Sequence, residues 1–454
     1  MAPDQSHAFG PSPDEILRRL GGLPGACLMS EGGGQVWVSA APTQRLTLPA
    51  GEDPWPALRA AYDATAPGGR WMVALAYEAG AARLPVPTRA LAPGEPWGHL
   101  AYYPAAWVVD SAGGRWVGDP AHAAELAQAC AAPARAAPPP QPVGLPRLLM
   151  DAETYRARVE TLQAHIRAGE IYQGNLTSPV RAHWRGHPLA LFEALCAPSP
   201  PPWRAFFDAS PWVFASASPE LLLSYDAETR RALSGPIKGT CPGAPGDAEA
   251  DRLFQGLASS VKDRAEHVMI VDLIRNDLGQ VCAPGSVRVE GLLQRLRLDR
   301  VQHLVSEVAG RLRQDLHPVD AWAALFPGGS VTGAPKIAAI QRLHALELAP
   351  RGIYCGALGR MSREGLALNL PIRTATLTPT DSEGWAVEYP AGGGVVADST
   401  WEGELAELQL KAARFVDALG GEGLELGLEP AVDLGAPLGG DAAEVRRHPP
   451  GVGD

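Results

Sequence analysis

The chain has 454 residues, of which 46% are hydrophobic and 20% are charged, and its formal net charge is −11. This composition supports a large folded core and excludes a disordered scaffold, and the acidic balance argues against a general binder of nucleic acid or anionic membranes, since both need clustered Lys and Arg. No run of about 18 apolar residues predicts a membrane span, and the N-terminal segment lacks the basic and apolar regions of a secretory signal.

The composition shifts along the chain predict four regions. Residues 1–130 contain short strand-like runs separated by Gly and Pro and are predicted to form a β-rich N-terminal region. Residues 131–150 are rich in Pro and Ala and are predicted to be a surface linker. Residues 151–419 alternate helical and strand patterns and are predicted to form the catalytic domain. Residues 420–454 are rich in Gly, Pro, Asp and Ala, and we expect a disordered tail.

Within these regions the periodicity predicts both helices and strands. Asp151 is placed to cap a helix that ends near Gly169, and further helical patterns cover Asp247–Leu278, a segment after Pro335 and Trp401–Leu419. Strand-like runs occur at Gln35–Ser39, Trp71–Tyr77, Ala101–Val109, Trp212–Tyr225, Gly352–Met361, Leu366–Leu377 and Trp385–Tyr389. Neighbouring strands joined by short turns indicate an α+β fold with antiparallel sheets and outer helices.

The usage of cysteine and lysine is informative. The six cysteines form no CxxC pair, which is typical of reduced thiols and predicts a cytoplasmic enzyme. Of the 39 basic residues only four are lysines, namely Lys238, Lys262, Lys336 and Lys411. In such an arginine-rich chain, each lysine is either a surface residue retained by chance or a residue with a function that arginine cannot perform, such as that of a nucleophile.

Four glycine-rich segments could approach a small ligand. They are Gly174–Asn175, Ser234–Thr240, Phe326–Lys336 and Ala391–Gly394. None is a P-loop or a GxGxxG motif, so a nucleotide enzyme is disfavoured. Such segments can offer backbone amides to carboxylates, although each one alone is also compatible with an ordinary tight turn.

Two acidic pairs predict a metal site. Asp263 and Glu266 lie on one face of a predicted helix, and Glu404 and Glu407 lie on one face of another. If the two helices face each other, their carboxylates suit Mg²⁺, which takes one or two carboxylates plus waters and substrate oxygens. The alternative is surface acidity balanced by nearby cations.

Two single residues are harder to interpret from their neighbours. His303 lies in a strand-like run with apolar neighbours, a pattern more typical of a core histidine than of a catalyst. Glu220 opens an apolar strand, where burial would raise the pKa of its carboxyl and fit it for general acid catalysis. A solvent-exposed position at a strand edge is the alternative for Glu220.

A series of motifs in order along the chain resembles the chorismate-utilising enzymes, which include anthranilate synthase component I, aminodeoxychorismate synthase component I and the isochorismate and salicylate synthases. The motifs are GEIYQGNL (169–176), SPELLL (218–223), PIKGT (236–240), KDRAEHVMIVDLIRNDLG (262–279), VQHLVSEV (301–308), FPGGSVTGAPK (326–336), RGIYCG (351–356), PIRTATL (371–377) and AGGGVVADS followed by EGELAEL. The resemblance covers 151–419 and implies large antiparallel sheets packed face to face with helices outside.

The resemblance also implies a reaction. Aminodeoxychorismate synthases typically carry lysine between Pro-Ile and Gly-Thr, where anthranilate synthases carry alanine, and this chain has Lys238. A desolvated lysine amine can add to chorismate at C2, and ammonia then displaces it from the ring. We therefore expect amination of chorismate to 4-amino-4-deoxychorismate. Anthranilate synthase component I is the nearest alternative, and a noncatalytic homologue is a third.

Site roles follow from the same resemblance, position by position. Glu266 and Glu407 match Mg²⁺ ligands, with Asp263 and Glu404 as supporting carboxylates. Glu220 matches the acid that assists loss of the 4-hydroxyl, and His303 matches an active-site histidine. The remaining matched positions bind or border chorismate: Tyr354, Arg373, Gly392, Gly393 and Gly394 at the enolpyruvyl carboxylate, Thr332 at the ring, and Lys336 and Asn175 nearby. Lys262 and Lys411 are interpreted as surface residues of their helices.

The chain departs from the family pattern at three places. Gly235 stands where Arg is common, Ala197–Pro202 replaces the inhibitor-binding Asn-Pro-Ser-Pro-Tyr, and no Leu-Leu-Glu-Ser is found near the N-terminus. The last two weigh against feedback by tryptophan and thus against anthranilate synthase. No cysteine lies in a nucleophile-elbow context, so ammonia is expected from a separate glutamine amidotransferase subunit.

Overall fold

The computed structural model describes residues 11–131, 141–244, 246–298, 301–380, 384–420 and 423–426. Residues 132–140 of the predicted linker and most of the predicted tail lie outside this part of the chain. Both of those predictions, and the division into four regions, stay predictions. Across the described residues, no helix combines the length and apolarity that a bilayer crossing needs.

Two large sheets organise the described residues. The twelve-stranded sheet runs in the order β22-β8-β9-β21-β20-β11-β10-β1-β2-β6-β7, with β17 paired to β9. Its strands are β1 (Cys27–Ser30), β2 (Val36–Ser39), β6 (Ala105–Asp110), β7 (Gly113–Gly118), β8 (Gln141–Leu148), β9 (Gln173–Arg185), β10 (Ala205–Ala209), β11 (Trp212–Ser216), β17 (Gly333–Ala334), β20 (Thr374–Pro379), β21 (Trp385–Val395) and β22 (Glu425–Leu426). All pairs are antiparallel except the parallel pair of β22 with β8.

The second sheet has ten strands in the order β14-β16-β13-β12-β19-β18-β4-β5-β3, with β15 paired to β16. They are β3 (Gln44–Leu48), β4 (Arg70–Leu75), β5 (Gly98–Tyr103), β12 (Leu221–Asp226), β13 (Arg231–Gly235), β14 (Ile237–Pro242), β15 (Arg288–Arg297), β16 (Val301–Arg311), β18 (Ala357–Ser362) and β19 (Gly365–Asn369). Every pair in this sheet is antiparallel.

The helices are α1 (Pro13–Leu20), α2 (Trp55–Asp63), α3 (Tyr77–Ala81), α4 (Pro120–Ala131), α5 (Ala152–Arg167), α6 (Pro188–Cys196), α7 (Asp247–Ser259), α8 (Val261–Gly279), α9 (Pro318–Leu325), α10 (Lys336–Leu346) and α11 (Trp401–Ala418). Helices α1, α5, α6, α10 and α11 share one core with the twelve-stranded sheet, and α8 and α9 pack on strands of the ten-stranded sheet.

The two sheets pack face to face. The ring of Trp37 on β2 meets that of Tyr103 on β5 at a centroid distance of 6.2 Å, and His99 on β5 lies 4.9 Å from Trp212 on β11. A single apolar core contains buried side chains from both sheets. The predicted α+β class with antiparallel sheets packed face to face is confirmed. Strands from the first 130 residues belong to both sheets, since β1 pairs with β10 and β4 pairs with β18.

Local signals placed several helices correctly. Asp151 accepts a hydrogen bond from the backbone N–H of Thr154 and caps α5, as predicted, and α10 and α11 begin at the expected residues. The single helix predicted over Asp247–Leu278 is wrong, because the segment forms two helices. Ser260 has extended backbone (φ −62°, ψ 118°), and its hydroxyl accepts the N–H of Asp263, so it ends α7 and caps α8.

Three apolar runs predicted as continuous strands each divide between the two sheets. Trp212–Tyr225 forms β11 in the larger sheet and β12 in the smaller one, Leu366–Leu377 forms β19 and β20, and Ala101–Val109 forms β5 and β6. Hydrophobic periodicity indicates which residues are buried. Because both strands of each run are buried, the pattern does not show where the chain passes from one sheet to the other.

Candidate active site

The candidate site lies where strands of both sheets meet helices α8 and α11. Lys238 on β14 is electrostatically coupled to Glu266 on α8, to Glu220 immediately before β12, and to Glu407 and Lys411 on α11. The fold thus brings together residues from four separate motifs of the sequence. The functional question is which chemistry their charges and burial permit.

Strand β21 approaches the Lys238 amine with glycine. A Cβ added at Gly394 would lie 2.9 Å from Nζ of Lys238 and 2.5 Å from Nε2 of Gln173. A Cβ at Gly393 would lie 2.6 Å from Oε2 of Glu404. The predicted glycine segment forms part of β21, which pairs with β9. Because Gly393 and Gly394 have no side chains, the polar groups of Lys238, Gln173 and Glu404 can approach the backbone of this strand.

Burial is the largest influence on the pKa of Lys238, and it lowers that pKa. The carboxylate of Glu266 acts in the opposite direction, and the ammonium of Lys411 adds to the lowering. A lowered pKa increases the share of neutral amine at neutral pH, and the neutral amine is the nucleophilic form.

Glu220 is buried, with 4% of its surface exposed. Burial raises the pKa of its carboxyl to about 7, although the Ser330 hydroxyl donates a hydrogen bond to Oε1 at 2.7 Å and favours the ionised form. The hydroxyl of Ser218 accepts the backbone N–H of Glu220 and donates to the carbonyl of Leu370. A carboxyl with a pKa near 7 can donate or accept a proton at neutral pH.

His303 on β16 is buried and bonded at both ring nitrogens. Nε2 lies 3.0 Å from Nη2 of Arg373, and Nδ1 lies 3.1 Å from Oγ1 of Thr240 and 3.3 Å from the carbonyl of Gly239. Because a guanidinium only donates, we assign the acceptor role to Nε2 and the proton to Nδ1. Burial and then the charge of Arg373 lower the pKa of His303 to about 3, so the ring is neutral at physiological pH.

The four predicted metal-site carboxylates differ in surroundings. Glu404 is buried; its Oε1 accepts a hydrogen bond of 2.6 Å from Ser399, while Oε2 has no hydrogen-bond partner in the described part of the chain. Burial raises the pKa of both Glu404 and Glu266. Burial also acts to raise the pKa of Glu407, but its 2.8 Å ion pair with Lys411 leaves that pKa lowered. Asp263 lies at the start of α8, near Gly239.

These carboxylates suit a hard divalent cation. Considering only the described residues, no group of three or more His, Cys, Asp or Glu side chains forms a complete metal centre. Mg²⁺ needs no such cage, since one or two carboxylates with waters and substrate oxygens suffice. The buried, unpartnered Oε2 of Glu404 and the raised pKa of Glu266 fit that donor set. The assignment of Glu266 and Glu407 as ligands, with Asp263 and Glu404 in support, stays a prediction.

The other predicted substrate residues occupy neighbouring segments. Thr332 is fully buried, its hydroxyl donates to the carbonyls of Gly328 and Gly329, and its carbonyl accepts the N–H of Asn175 at 2.9 Å. Lys336 forms an ion pair of 2.7 Å with the largely buried carboxylate of Asp277. These contacts fix the Phe326–Lys336 segment against β9 and α8.

Tyr354 and Arg373 lie on segments that follow α10. Burial raises the pKa of Tyr354 well above its ordinary value, and the neighbouring groups that act on this pKa are Cys355, Arg351 and Glu347. Arg373 has a positive φ of 53°, and its guanidinium is bound to His303. The structure therefore joins Arg373 to the site through a direct contact and places Tyr354 in the adjoining core.

Comparison with known proteins gives the family. A family model described as chorismate binding enzyme matches residues 25–417. The chain belongs to this family. The predicted resemblance to chorismate-utilising enzymes is confirmed.

Two named relatives show the range of activities nearby. The chain is 38% identical over 301 residues to anthranilate synthase component 1 of Haloferax volcanii, covering 65% of this chain and 56% of that protein. It is 41% identical over 297 residues to aminodeoxychorismate synthase of Streptomyces griseus, covering 63% of this chain and 40% of that protein. The chain thus spans about half the length of the curated relatives it matches.

Solved structures agree on the fold. Anthranilate synthase component I from Streptococcus pneumoniae superposes with a TM-score of 0.71 at 24% identity, covering 91% of this chain and 96% of that one. The menaquinone-specific isochorismate synthase from Escherichia coli superposes with a TM-score of 0.69 at 19% identity, covering 89% and 91%.

Three residues that lie beside the candidate site were not predicted to belong to it. Lys411, interpreted as a surface residue of its helix, is partly exposed, with 32% of its side chain accessible; its ammonium also donates to the carbonyl of Gly392 at 2.7 Å and pairs with Glu407. Its rarity among the basic residues was the available signal. Ser330 contacts Glu220, and Gln173 is fully buried with neither side-chain atom hydrogen-bonded to a described residue. Both lie inside recognised motifs. The exposed Lys262 agrees with its surface interpretation.

Proposed function

We propose that the chain is the chorismate-aminating component of aminodeoxychorismate synthase, in the route to 4-aminobenzoate and folate. The observation that supports it is the Lys238 amine, which is desolvated, has a lowered pKa and lies against the bare backbone of Gly394. The pKa of this amine is lowered although the carboxylates of Glu266 and Glu220 act to raise it. A nucleophilic role explains it.

In the proposed reaction Nζ of Lys238 forms a bond to C2 of chorismate. Both ring double bonds shift by one position and the C4–O bond breaks, and Glu220 gives the departing hydroxyl its proton, so that water leaves. Ammonia then attacks C4, both double bonds shift back and the C2–N bond to Lys238 breaks, which restores the neutral amine. The new ammonium at C4 returns one proton to the carboxylate of Glu220. The net change is chorismate plus ammonia to 4-amino-4-deoxychorismate plus water.

The remaining residues bind and orient the substrate. The neutral ring of His303 keeps the guanidinium of Arg373 in place by accepting one of its N–H groups, so that the other donors of Arg373 can bind a carboxylate. The carboxylates of Glu266, Glu404 and Glu407 would hold Mg²⁺. When bound, Mg²⁺ would neutralise a carboxylate of the dianionic substrate.

We propose that a separate glutamine amidotransferase subunit supplies the ammonia, as the component names of the relatives are consistent with a divided enzyme. Anthranilate synthase component I is the second candidate. Relatives with that name match this chain at 38% identity, close to the 41% and 43% of aminodeoxychorismate synthases. Overall similarity does not separate the two activities, so Lys238 carries the distinction.

Product analysis tests this proposal. The chain is incubated with chorismate, Mg²⁺ and ammonium, half of each sample receives an aminodeoxychorismate lyase, and the products are separated by chromatography. We expect 4-aminobenzoate only with the lyase, and none from Lys238→Ala. Lys262→Ala is the control for loss of a lysine charge near the site, since this exposed lysine also acts on the pKa of Glu266, Glu404 and Glu407; it should still give 4-aminobenzoate, and only with the lyase. Anthranilate formed without the lyase would contradict the proposal and favour the second candidate.

A further inference from the structure

A buried arginine outside the predicted site joins five segments of the chain. Arg351 lies between α10 and β18 and has 3% of its surface exposed. Its guanidinium donates to the carbonyl of Val331 at 2.6 Å, to the carbonyl of Asn175 at 2.9 Å and to both carboxylate oxygens of Glu347. Such a fork of donors with fixed geometry can hold several acceptors at a set spacing.

The two carbonyls belong to the segments that border the proposed substrate site. Val331 precedes Thr332, whose own carbonyl accepts the N–H of Asn175. Asn175 is in register with Gly394 across the β9–β21 pair, and Gly394 faces the Lys238 amine. The guanidinium therefore bridges the Val331 loop to strand β9, and β9 pairs with the strand whose Gly394 faces the Lys238 amine.

Glu347 extends the same bridge along β9. Its Oε1 accepts the backbone N–H of Thr177 at 3.2 Å and the Thr177 hydroxyl at 2.9 Å, in addition to the Arg351 guanidinium at 2.6 Å. Both partners of the ion pair are more than nine-tenths buried. A buried pair of this kind is strongly held because removal of either partner leaves the other charge uncompensated.

The N-terminal region holds the arginine from the opposite side. Glu78 on α3 accepts the backbone N–H groups of Arg351 at 2.7 Å and Gly352 at 3.1 Å. The ring of Tyr77 stacks against the guanidinium, with Cζ 4.5 Å from the ring centroid, a cation–π contact that strengthens when desolvated. Tyr77 also donates its backbone N–H to the carbonyl of Gly352. Two adjacent residues thus fix both the backbone and the side chain of Arg351.

We propose that Arg351 is a positioning residue for chorismate turnover, which fixes the spacing of the Asn175 and Val331 segments, and that the N-terminal region acts on catalysis through Tyr77 and Glu78. This inference rests on the proposed chorismate chemistry of the site. It assigns the first 130 residues a part in that chemistry, in addition to the strands they give to both sheets.

The chain offers a matched control in Arg360 on β18. Arg360 is also largely buried and pairs with both carboxylate oxygens of Glu31, and it donates to Ser362. None of these partners belongs to the segments that border the proposed site. Loss of Arg360 therefore removes a buried guanidinium and an ion pair of the same kind without releasing Asn175 or Val331.

The test measures consumption of chorismate at saturating Mg²⁺ and ammonium in the full chain. Arg351→Lys keeps the charge but loses the fork, and we expect kcat/KM for chorismate to fall at least about tenfold, since a displacement of about 1 Å can cost roughly 10²-fold. Tyr77→Leu, which removes the stacked ring while leaving every hydrogen bond of Arg351, should lower it in the same direction by a smaller factor. Arg360→Lys should stay close to the native rate.

Chemical rescue separates positioning from simple loss of stability. Guanidinium ion, added well below denaturing concentrations, should restore turnover of Arg351→Ala in a saturable manner without raising its unfolding midpoint, and should leave Arg360→Ala unchanged. If Arg351→Ala does not fold, Arg351→Lys and Tyr77→Leu decide the question. A native kcat/KM in folded Arg351→Lys, or a folded Arg351→Ala that guanidinium does not activate, would overturn the inference. A native chain that consumes no chorismate would instead overturn the proposed function.

Discussion

Substitution of Gly394 by alanine tests the proposed role of the Lys238 amine as the reacting group. A Cβ at this residue would lie 2.9 Å from Nζ of Lys238 and 2.5 Å from Nε2 of Gln173, whereas ordinary van der Waals contact begins at 3.4 Å. The amine must therefore retreat by about 0.5 Å and the amide by about 0.9 Å, within a closely packed site. Gly394 does not have a positive φ, so the perturbation is steric and the backbone is not strained.

A displacement approaching 1 Å at a reacting group costs up to roughly 10²-fold in rate. We expect Gly394→Ala to lower kcat/KM for chorismate by roughly 10- to 100-fold and to lower the free energy of unfolding by about 1–3 kcal/mol through overpacking. The assay couples aminodeoxychorismate formation to the lyase and follows 4-aminobenzoate. Unfolding is followed separately in denaturant, so that activity is compared among fully folded proteins.

Gly256→Ala on α7 is the matched control, because, apart from its chain neighbours and the backbone of its own helix, no atom of the described residues lies within 4 Å of a Cβ at that position. It should keep the native kcat/KM and gain about 0.5–1 kcal/mol of stability from helix propensity. A native kcat/KM in a fully folded Gly394→Ala would refute the reasoning, since the amine could then shift without consequence and would not be the reacting group.

Three further predictions follow from buried carboxyls. Ser330→Ala removes the hydroxyl that donates to Glu220 and favours its ionised form, so the pKa of Glu220 should rise above about 7 by up to about one unit. In the plot of kcat against pH, the fall in rate on the alkaline side should then shift to higher pH by the same amount. An unshifted profile would contradict the acid role of Glu220. Glu404→Gln should raise the Mg²⁺ concentration for half-maximal activity by roughly 10- to 100-fold, and an unchanged value would exclude Glu404 from the metal site. Burial raises the pKa of Glu78 to about 7 from 4.5. The stability that this protonated carboxyl contributes is therefore fully present below pH 4.5, and the free energy of unfolding should fall by up to roughly 3 kcal/mol as the pH rises to 7. Glu78→Gln should reduce this dependence of the unfolding free energy on pH, measured by denaturant titration at several pH values, and an unchanged dependence would show that Glu78 does not titrate in this range.

The fold class was predictable because its signals are local. Residues only a few positions apart determine three features that the sequence predicted, namely the cap at Asp151, the apolar face of α5 and the start of α10 after Pro335. The break at Ser260 also has a local cause, because the Ser260 hydroxyl caps α8 by accepting the backbone N–H of Asp263, three residues further along. The helical pattern continues on both sides of Ser260, so the cap was not recognised in the sequence. The division of Trp212–Tyr225 between two sheets depends on pairing with β20 and β19, which are distant in sequence.

The candidate site shows the same division between local and tertiary information. The motifs gave Lys238 and Glu220, because residue type and family position are properties of the sequence. They did not give Lys411, which contacts Gly392 across a helix–strand interface. Nor did they give Gln173, which is buried beside Gly394 and has no side-chain hydrogen bond to any described residue. Burial and hydrogen-bond satisfaction are properties of the folded chain, so they enter only with the structure.

The charges of the site link the proposed cation binding to the proposed nucleophilic role of Lys238. Burial raises the pKa of Glu220, Glu266 and Glu404 alike, which means that Lys238 and Lys411 do not offset the cost of ionising them. A proton or a divalent cation could each neutralise the uncompensated negative charge of these carboxylates, so the two compete for them. The carboxylate of Glu266 also opposes the lowering of the pKa of Lys238. A cation held by Glu266 would remove that opposition, and the Lys238 amine would then be more readily neutral at a pH where Glu220, with a pKa of about 7, is still partly protonated.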